Sequence, residues 1–128
     1  MKRDMDFIRQ VLLKIEGGNG RTKMVDLLPA DASKDDLAKL QYHMGMLVDE
    51  AGLVRGIAAH SLGGQNWVDL NLTWQGHEFV DAVRDSEVWR RTKEGASRVG
   101  NFTIGLLVEI AKAYAKQVAK DRLGLDLG

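Results

Sequence analysis

The sequence predicts a mainly α fold with a small β-hairpin: a winged helix-turn-helix over residues 1–95, followed by an added C-terminal helix over residues 96–128. Three observations carry this. Between Lys34 and Val54 the apolar residues Leu37, Leu40, Met44, Leu47, Val48 and Ala51 fall on one stripe of a long helix. Gly52 then stands where a helix exit needs φ > 0, and the strand formers Leu53 and Val54 follow at once. Ahead of that helix, the order helix, short helix, turn is the order of a helix-turn-helix, and behind it two extended runs form a hairpin wing.

Taken in order, Asp4 to Glu16 reads as the first helix, with Asp4 and Asp6 at the positive end of its dipole and Phe7, Ile8, Val11, Leu12 and Ile15 on its apolar face. Gly17-Gly18-Asn19-Gly20 ends it as a cap and turn. This glycine run follows a helix and lacks the Gly-Lys-Ser/Thr that would reach a phosphate and its magnesium, so it is not a nucleotide loop. Thr22 to Leu28 is a short helix or turn closed by Pro29, the single proline, which pushes Leu28 out of the α region. Ser33, followed three residues on by Asp36, supplies a capping box for the long helix.

From Leu53 the chain is expected to run extended to about His60, to turn over residues 61–66, and to return as Trp67 to Leu72. In the return strand Val68, Leu70 and Leu72 would face the core, alternating with Trp67, Asp69 and Asn71. Thr73 caps a further helix bearing Phe79, Val80 and Val83, and Ser86 or a neighbour opens its continuation with Val88 and Trp89. A loose stretch is expected from Gly95 to Gly100. Asn101 or Thr103 then starts a last helix with Ile104, Leu107, Val108, Ala111, Tyr114 and Val118 on one face and Lys112, Lys116 and Lys120 on another. The core expected from these faces comprises Phe7, Val11, Leu12, Leu37, Leu40, Leu47, Leu53, Leu70, Leu72, Phe79 and Val83.

Composition limits the function. The chain has no cysteine, so it has neither a disulfide framework nor a thiolate metal site, as suits a reducing cytoplasm. No run approaches the roughly 20 apolar residues of a membrane span, and no signal-peptide core follows the start, so a cytoplasmic protein without a membrane partner is expected. Lys plus Arg and Asp plus Glu are 18 each, which leaves no long-range pull on polyanions. The long helix carries Lys34 and Lys39 against Asp35, Asp36, Asp49 and Glu50. Basic residues dominate instead in the C-terminal part.

An enzyme is not expected. His43, His60 and His77 lie 17 residues apart with no i, i+3 or i, i+4 pair and no HExxH, so no metal or other cofactor is implied. Ser61 and Ser97 lack a nucleophile elbow, and the pairs Asp35-Asp36 and Asp49-Glu50 sit on an exposed face where nothing would raise a pKa. Two classes remain. A DNA-binding transcription regulator would lay the long helix in the major groove of duplex DNA, offering Lys34, Lys39, Gln41, Tyr42 and His43, with Thr22, Lys23 and Arg55 near the backbone. A protein-interaction module would use the same scaffold to bind another protein. A homodimer through Ile104, Leu107, Val108, Ala111 and Tyr114 is expected, because that stripe has little left to cover in a three-helix core; the alternative is that the last helix folds back over the first helix of its own chain.

The run Leu72-Thr73-Trp74-Gln75-Gly76-His77-Glu78-Phe79-Val80-Asp81-Ala82-Val83-Arg84-Asp85, followed by Val88-Trp89 and Lys93, resembles a bacterial and phage family catalogued as domain of unknown function number twenty-five thirteen. The opening Met1-Lys2-Arg3-Asp4-Met5-Asp6, Tyr42-His43 with Ala51-Gly52-Leu53, and the closing Leu123-Gly124-Leu125 resemble it too, so the likeness spans nearly the whole chain. It implies a winged-helix fold and carriage in prophages and mobile elements. It carries over no activity and no catalytic residue. The run Met44-Gly45-Met46 departs from a DNA-reading pattern in being apolar.

Overall fold

The computed structural model describes residues 2–61, 64–100 and 103–124. Their order is α1 (Met5–Gly17), a 3-10 turn (Met24–Leu27), α2 (Lys34–Gly45) prolonged by a π-helical turn (Met46–Glu50), β1 (Val54–Ser61), β2 (Gly64–Leu72), α3 (Trp74–Val83), α4 (Ser86–Val99) and α5 (Ile104–Leu123). The fold is mainly helical with one two-stranded antiparallel hairpin. It divides into two compact units, Met1–His77 and Glu78–Gly128. Asn101, one of the two residues at which the last helix was expected to open, and Leu125 lie outside the described residues.

In the first unit Asp4, expected as the first helical residue, is the cap of α1, and the Ser33 capping box forms as the sequence expects. The Asp4 carboxylate accepts the Phe7 N–H at the start of α1. Ser33 Oγ accepts the Asp36 N–H while the Asp36 carboxylate accepts the Ser33 N–H, a reciprocal box. Leu40, Met44 and Leu47 are fully buried on the inner stripe of α2 and its π turn. Ala51 ends that turn, and Gly52 at φ +65° sends the chain into β1. Met44 and Met46 are core residues, which accounts for their apolar character. Phe7 and Leu37, expected inside, are half-buried.

The hairpin departs from the expected alternation. Arg55 pairs with Asn71 and Ile57 with Val68, so Gly56 alone faces both Asp69 and Leu70, a bulge in β2 with Asp69 at φ +52°. The extra residue shifts the pleat by one, so Trp67 rather than Val68 joins Leu70 and Leu72 in the core, and Val68 is half-buried. β2 also begins earlier than expected, at Gly64, with Gln65 and Asn66 already paired to His60 and Ala59. At the bulge the Leu70 N–H donates to the Thr22 carbonyl at 2.9 Å, so Thr22 bridges β2 as a one-residue strand instead of opening a helix.

Thr73 joins the exit of α2 to α3. Its hydroxyl donates to the Gly52 carbonyl at 2.6 Å and accepts the Gly76 N–H at 3.1 Å, while its N–H donates to the Leu53 carbonyl. Gly76 is required here because a Cβ would overlap the Leu53 carbonyl oxygen.

In the second unit Asp85 caps α4 by accepting the Glu87 and Val88 N–H groups, and Thr103 Oγ1 caps α5 by accepting that of Leu106. The loose stretch expected after Gly95 is helix as far as Val99. Gly95 lies against Ile110 and Tyr114, with 3.2 Å between each and the place of an added Cβ, so this glycine serves the close approach of α4 and α5 and does not end a helix. Ile104, Leu107, Val108, Ala111 and Val118 are buried in the single chain and Tyr114 is half-buried. The apolar stripe of α5 is therefore covered without a second copy, which removes the exposed patch on which the expected dimer contact rested.

Replacing Leu40 or Leu47 by Ala should lower stability by about 2–5 kcal/mol in a denaturant titration, the range for truncating a fully buried leucine. Gly76→Ala should also be strongly destabilising. Gly17→Ala, at a helical glycine with open space around it, should be neutral or mildly stabilising in the same titration.

Candidate interaction surface

Of the residues expected to face DNA, the structure brings Lys39 and His43 together at the start of α1, with His43 inside. His43 is fully buried. Its Nε2 accepts the Asp4 N–H at 3.0 Å, and its Nδ1 lies 2.7 Å from the Lys39 carbonyl, one helical turn back. An N–H donor facing Nε2 requires that nitrogen to be bare, so the proton sits on Nδ1 and is donated to the carbonyl: the ring is neutral, with both nitrogens satisfied. The edges of Phe7 and Tyr42 approach it at centroid distances of 5.0 and 5.2 Å.

Lys39 closes the same cluster from outside. Its ammonium lies 2.8 Å from the Asp4 carboxylate and 4.6 Å above the Phe7 ring. Burial depresses the His43 pKa, opposed by the hydrogen bond to Lys39, while the Lys39 charge lowers it and the Asp4 charge raises it. Asp4 is held below the usual carboxylate value, first by its hydrogen bond with Lys39 and next by the Phe7 N–H. The expectation that His43 reads a groove is thus corrected: a buried imidazole with both nitrogens engaged has nothing to offer a base edge.

Gln41 is half-buried and donates through Nε2 to the Gln65 carbonyl, tying α2 to the start of β2. Lys23, Lys34 and Arg55 are exposed on the 3-10 turn's entry, the first turn of α2 and β1, on three separate elements. Around α2 the outer surface consists of Lys34, Asp35, Asp36, Ala38 and Tyr42, with Asp49 and Glu50 at its far end. Tyr42 keeps 40 % of its surface exposed. Asp49 and Glu50 stand where the helix dipole is negative, a placement that costs stability.

A shallow depression of about 300 Å³ lies over the bulge, lined by Arg55, Gly56, Ile57, Asp69 and Asn71. The sequence reading missed Ile57 and Trp74, which are 59 % and 76 % exposed. The signal for Trp74 was its place at the first helical position after the Thr73 cap, which does not face the core.

In the second unit the surface charges of α4 pair with one another: Glu87 with Arg90 and Arg91, and Arg90 with Glu94. Those two arginines pull the Glu87 pKa down to about 2. Lys112 pairs with Glu78 at 3.1 Å, and Arg122 with the capping Asp85. Among the described residues no group of three or more His, Asp or Glu side chains is placed to hold a metal ion, and no helix is long and apolar enough to cross a membrane.

Comparison with known proteins adds a family and one relative. The family described as "Hypothetical protein (DUF2513)" matches residues 2–101. An uncharacterized protein of Haemophilus influenzae (strain Rd) is 32% identical over 123 residues, which cover 96% of this chain and 99% of that protein. No solved structure matches significantly.

The His43 geometry fixes a pH response. A folded pKa below the ordinary 6.5 means that the unfolded chain binds the proton first, so stability holds above about pH 6.5 and falls as pH drops below it. Asp4 adds a second loss in the same direction below about pH 3.8. Denaturant midpoints measured between pH 8 and 5 should fall in the wild type and fall less in His43→Gln, whatever that variant's absolute stability.

Proposed function

Since the chain belongs to the family described as "Hypothetical protein (DUF2513)", whose description names no activity, we propose from its surface that it is a non-enzymatic module of winged helix-turn-helix layout that binds a basic surface of another protein through the outer face of α2. The layout is supported by the order α1, Thr22 bridged to β2, a helical turn, α2 and the hairpin. The binding mode is carried by one observation: exposed acids outnumber exposed lysines on the outer face of α2. His43, Lys39 and Gln41 serve contacts within the unit. Asp35, Asp36, Asp49 and Glu50 remain exposed around Tyr42. A helix presenting that charge to a phosphate backbone is repelled, whereas on a cationic protein surface the acids steer the encounter and Tyr42 supplies an aromatic anchor.

A second reading, a DNA-binding regulator, is favoured by the same layout and by the exposure of Lys23, Lys34 and Arg55. Fluorescence anisotropy of random duplex DNA separates the two. At low salt and micromolar folded protein we expect no binding. Binding with a salt slope of about 0.9 per phosphate neutralised, lost on Lys34→Glu with Arg55→Glu, would establish the DNA reading instead. A photo-crosslinking residue at Tyr42 should trap a protein in cells, and Asp35→Lys with Asp49→Lys should reduce the yield about tenfold or more.

A further inference from the structure

The hairpin leaves one backbone edge open. Among the described residues β2 has β1 on one side and the Thr22 bridge on the other, while β1 has β2 alone. In an antiparallel strand, alternate residues point their N–H and C=O away from the partner. β1, eight residues long, therefore carries a row of main-chain donors and acceptors toward solvent. Soluble monomers blunt such edges with lysine, proline, bulges or short strands. β1 has no proline and no lysine, its one permanent charge is Arg55 near its start, and the bulge lies in β2. At its middle Ile57 is 59 % exposed beside exposed Ala58.

We propose that β1 pairs antiparallel with β1 of a second copy of this chain, about a two-fold axis near Ala58, so that two hairpins form one continuous sheet. This surface is separate from the α2 face, and the inference does not depend on the function assigned to that face. An open strand edge is complemented only by another strand, and the charges of β1 favour its own copy in the antiparallel sense. With the axis at Ala58, Ile57 lies opposite Ala59, and the two Arg55 residues fall at opposite ends of the pair. Their separation is roughly 20 Å at about 3.4 Å per residue, beyond the Debye length of about 8 Å at physiological salt. A parallel pairing would instead stack the two arginines about 4.8 Å apart. Gly56, Ala58 and Ala59 keep the edge narrow, so two backbones can approach without side-chain obstruction.

Sedimentation equilibrium of the full chain from about 1 to 100 μM tests this, and a dimer is the expected species. Ile57→Lys should raise the dissociation constant at least tenfold with an unchanged circular dichroism spectrum. Leu106→Lys, at an exposed apolar position on α5, should leave the constant unchanged. Because the chain has no cysteine, Ala58→Cys under mild oxidation should give a disulfide-linked dimer, since directly opposed Cα atoms lie about 4.5–5.5 Å apart, within the span of a disulfide. The proposal is overturned by a monomer throughout the range, by a dimer indifferent to Ile57→Lys, by one that Leu106→Lys dissociates, or by Ala58→Cys that fails to cross-link.

Discussion

A neutral imidazole holds the first unit in register. His43 lies at a point where α1 has an N–H without an intrahelical acceptor and α2 has a carbonyl available one turn back, and its two nitrogens meet both needs at once. A neutral imidazole offers an acceptor and a donor on opposite sides of one rigid ring. Because the ring is fully buried, breaking either bond leaves a polar group without water to replace the partner, so the cluster resists a sliding of α1 along α2 more than its apolar contacts would. Lys39 and Asp4 add an ion pair that is only partly screened from solvent and so contributes modestly on its own. Their larger effect is to place Asp4 so that its carboxylate caps α1 while its N–H reaches His43.

The bulge has a comparable role in the hairpin. By inserting Leu70 opposite Gly56 it turns Trp67 inward against Gly45 of α2 and frees the Leu70 N–H for the Thr22 carbonyl. Gly56 is needed on the facing strand because a Cβ there would crowd the Leu70 side chain at 2.8 Å and the Val68 carbonyl at 3.2 Å. The chain between α1 and α2 is thereby stitched to the sheet. Had β2 kept a strict alternation, an indole would have been left in water and Thr22 would have lost its partner.

Most of the helices were legible because their signals are local. The caps at Ser33 and Thr73 and the exit at Gly52 need only the residues nearby, and each stands where the sequence placed it. What was not legible depends on contacts distant in sequence. Nothing around Gly95 reveals that it faces Ile110 and Tyr114 rather than ending a helix. Periodicity cannot register one inserted residue in a short strand, so Trp67 and Val68 exchanged faces. The candidate site was read least well, because the outward-facing side of α2 was assigned by residue type. A histidine and a lysine suggest solvent and phosphate, yet thirty-nine residues before His43 lies the backbone N–H that turns it inward.

The placement of charge on α2 then bears on what the scaffold can recognise. A helix that reads DNA needs cations on its outer face and gains from a neutral or positive C-terminal end. Here Asp49 and Glu50 lie exposed at the negative end of the dipole, where they reduce stability. Carboxylates in such a position cost the monomer stability, a cost that the approach of a positive surface would offset. The same α2 whose inner face holds the fold through Leu40, Met44 and Leu47 thus carries, on its outer face, a potential suited to a basic protein partner.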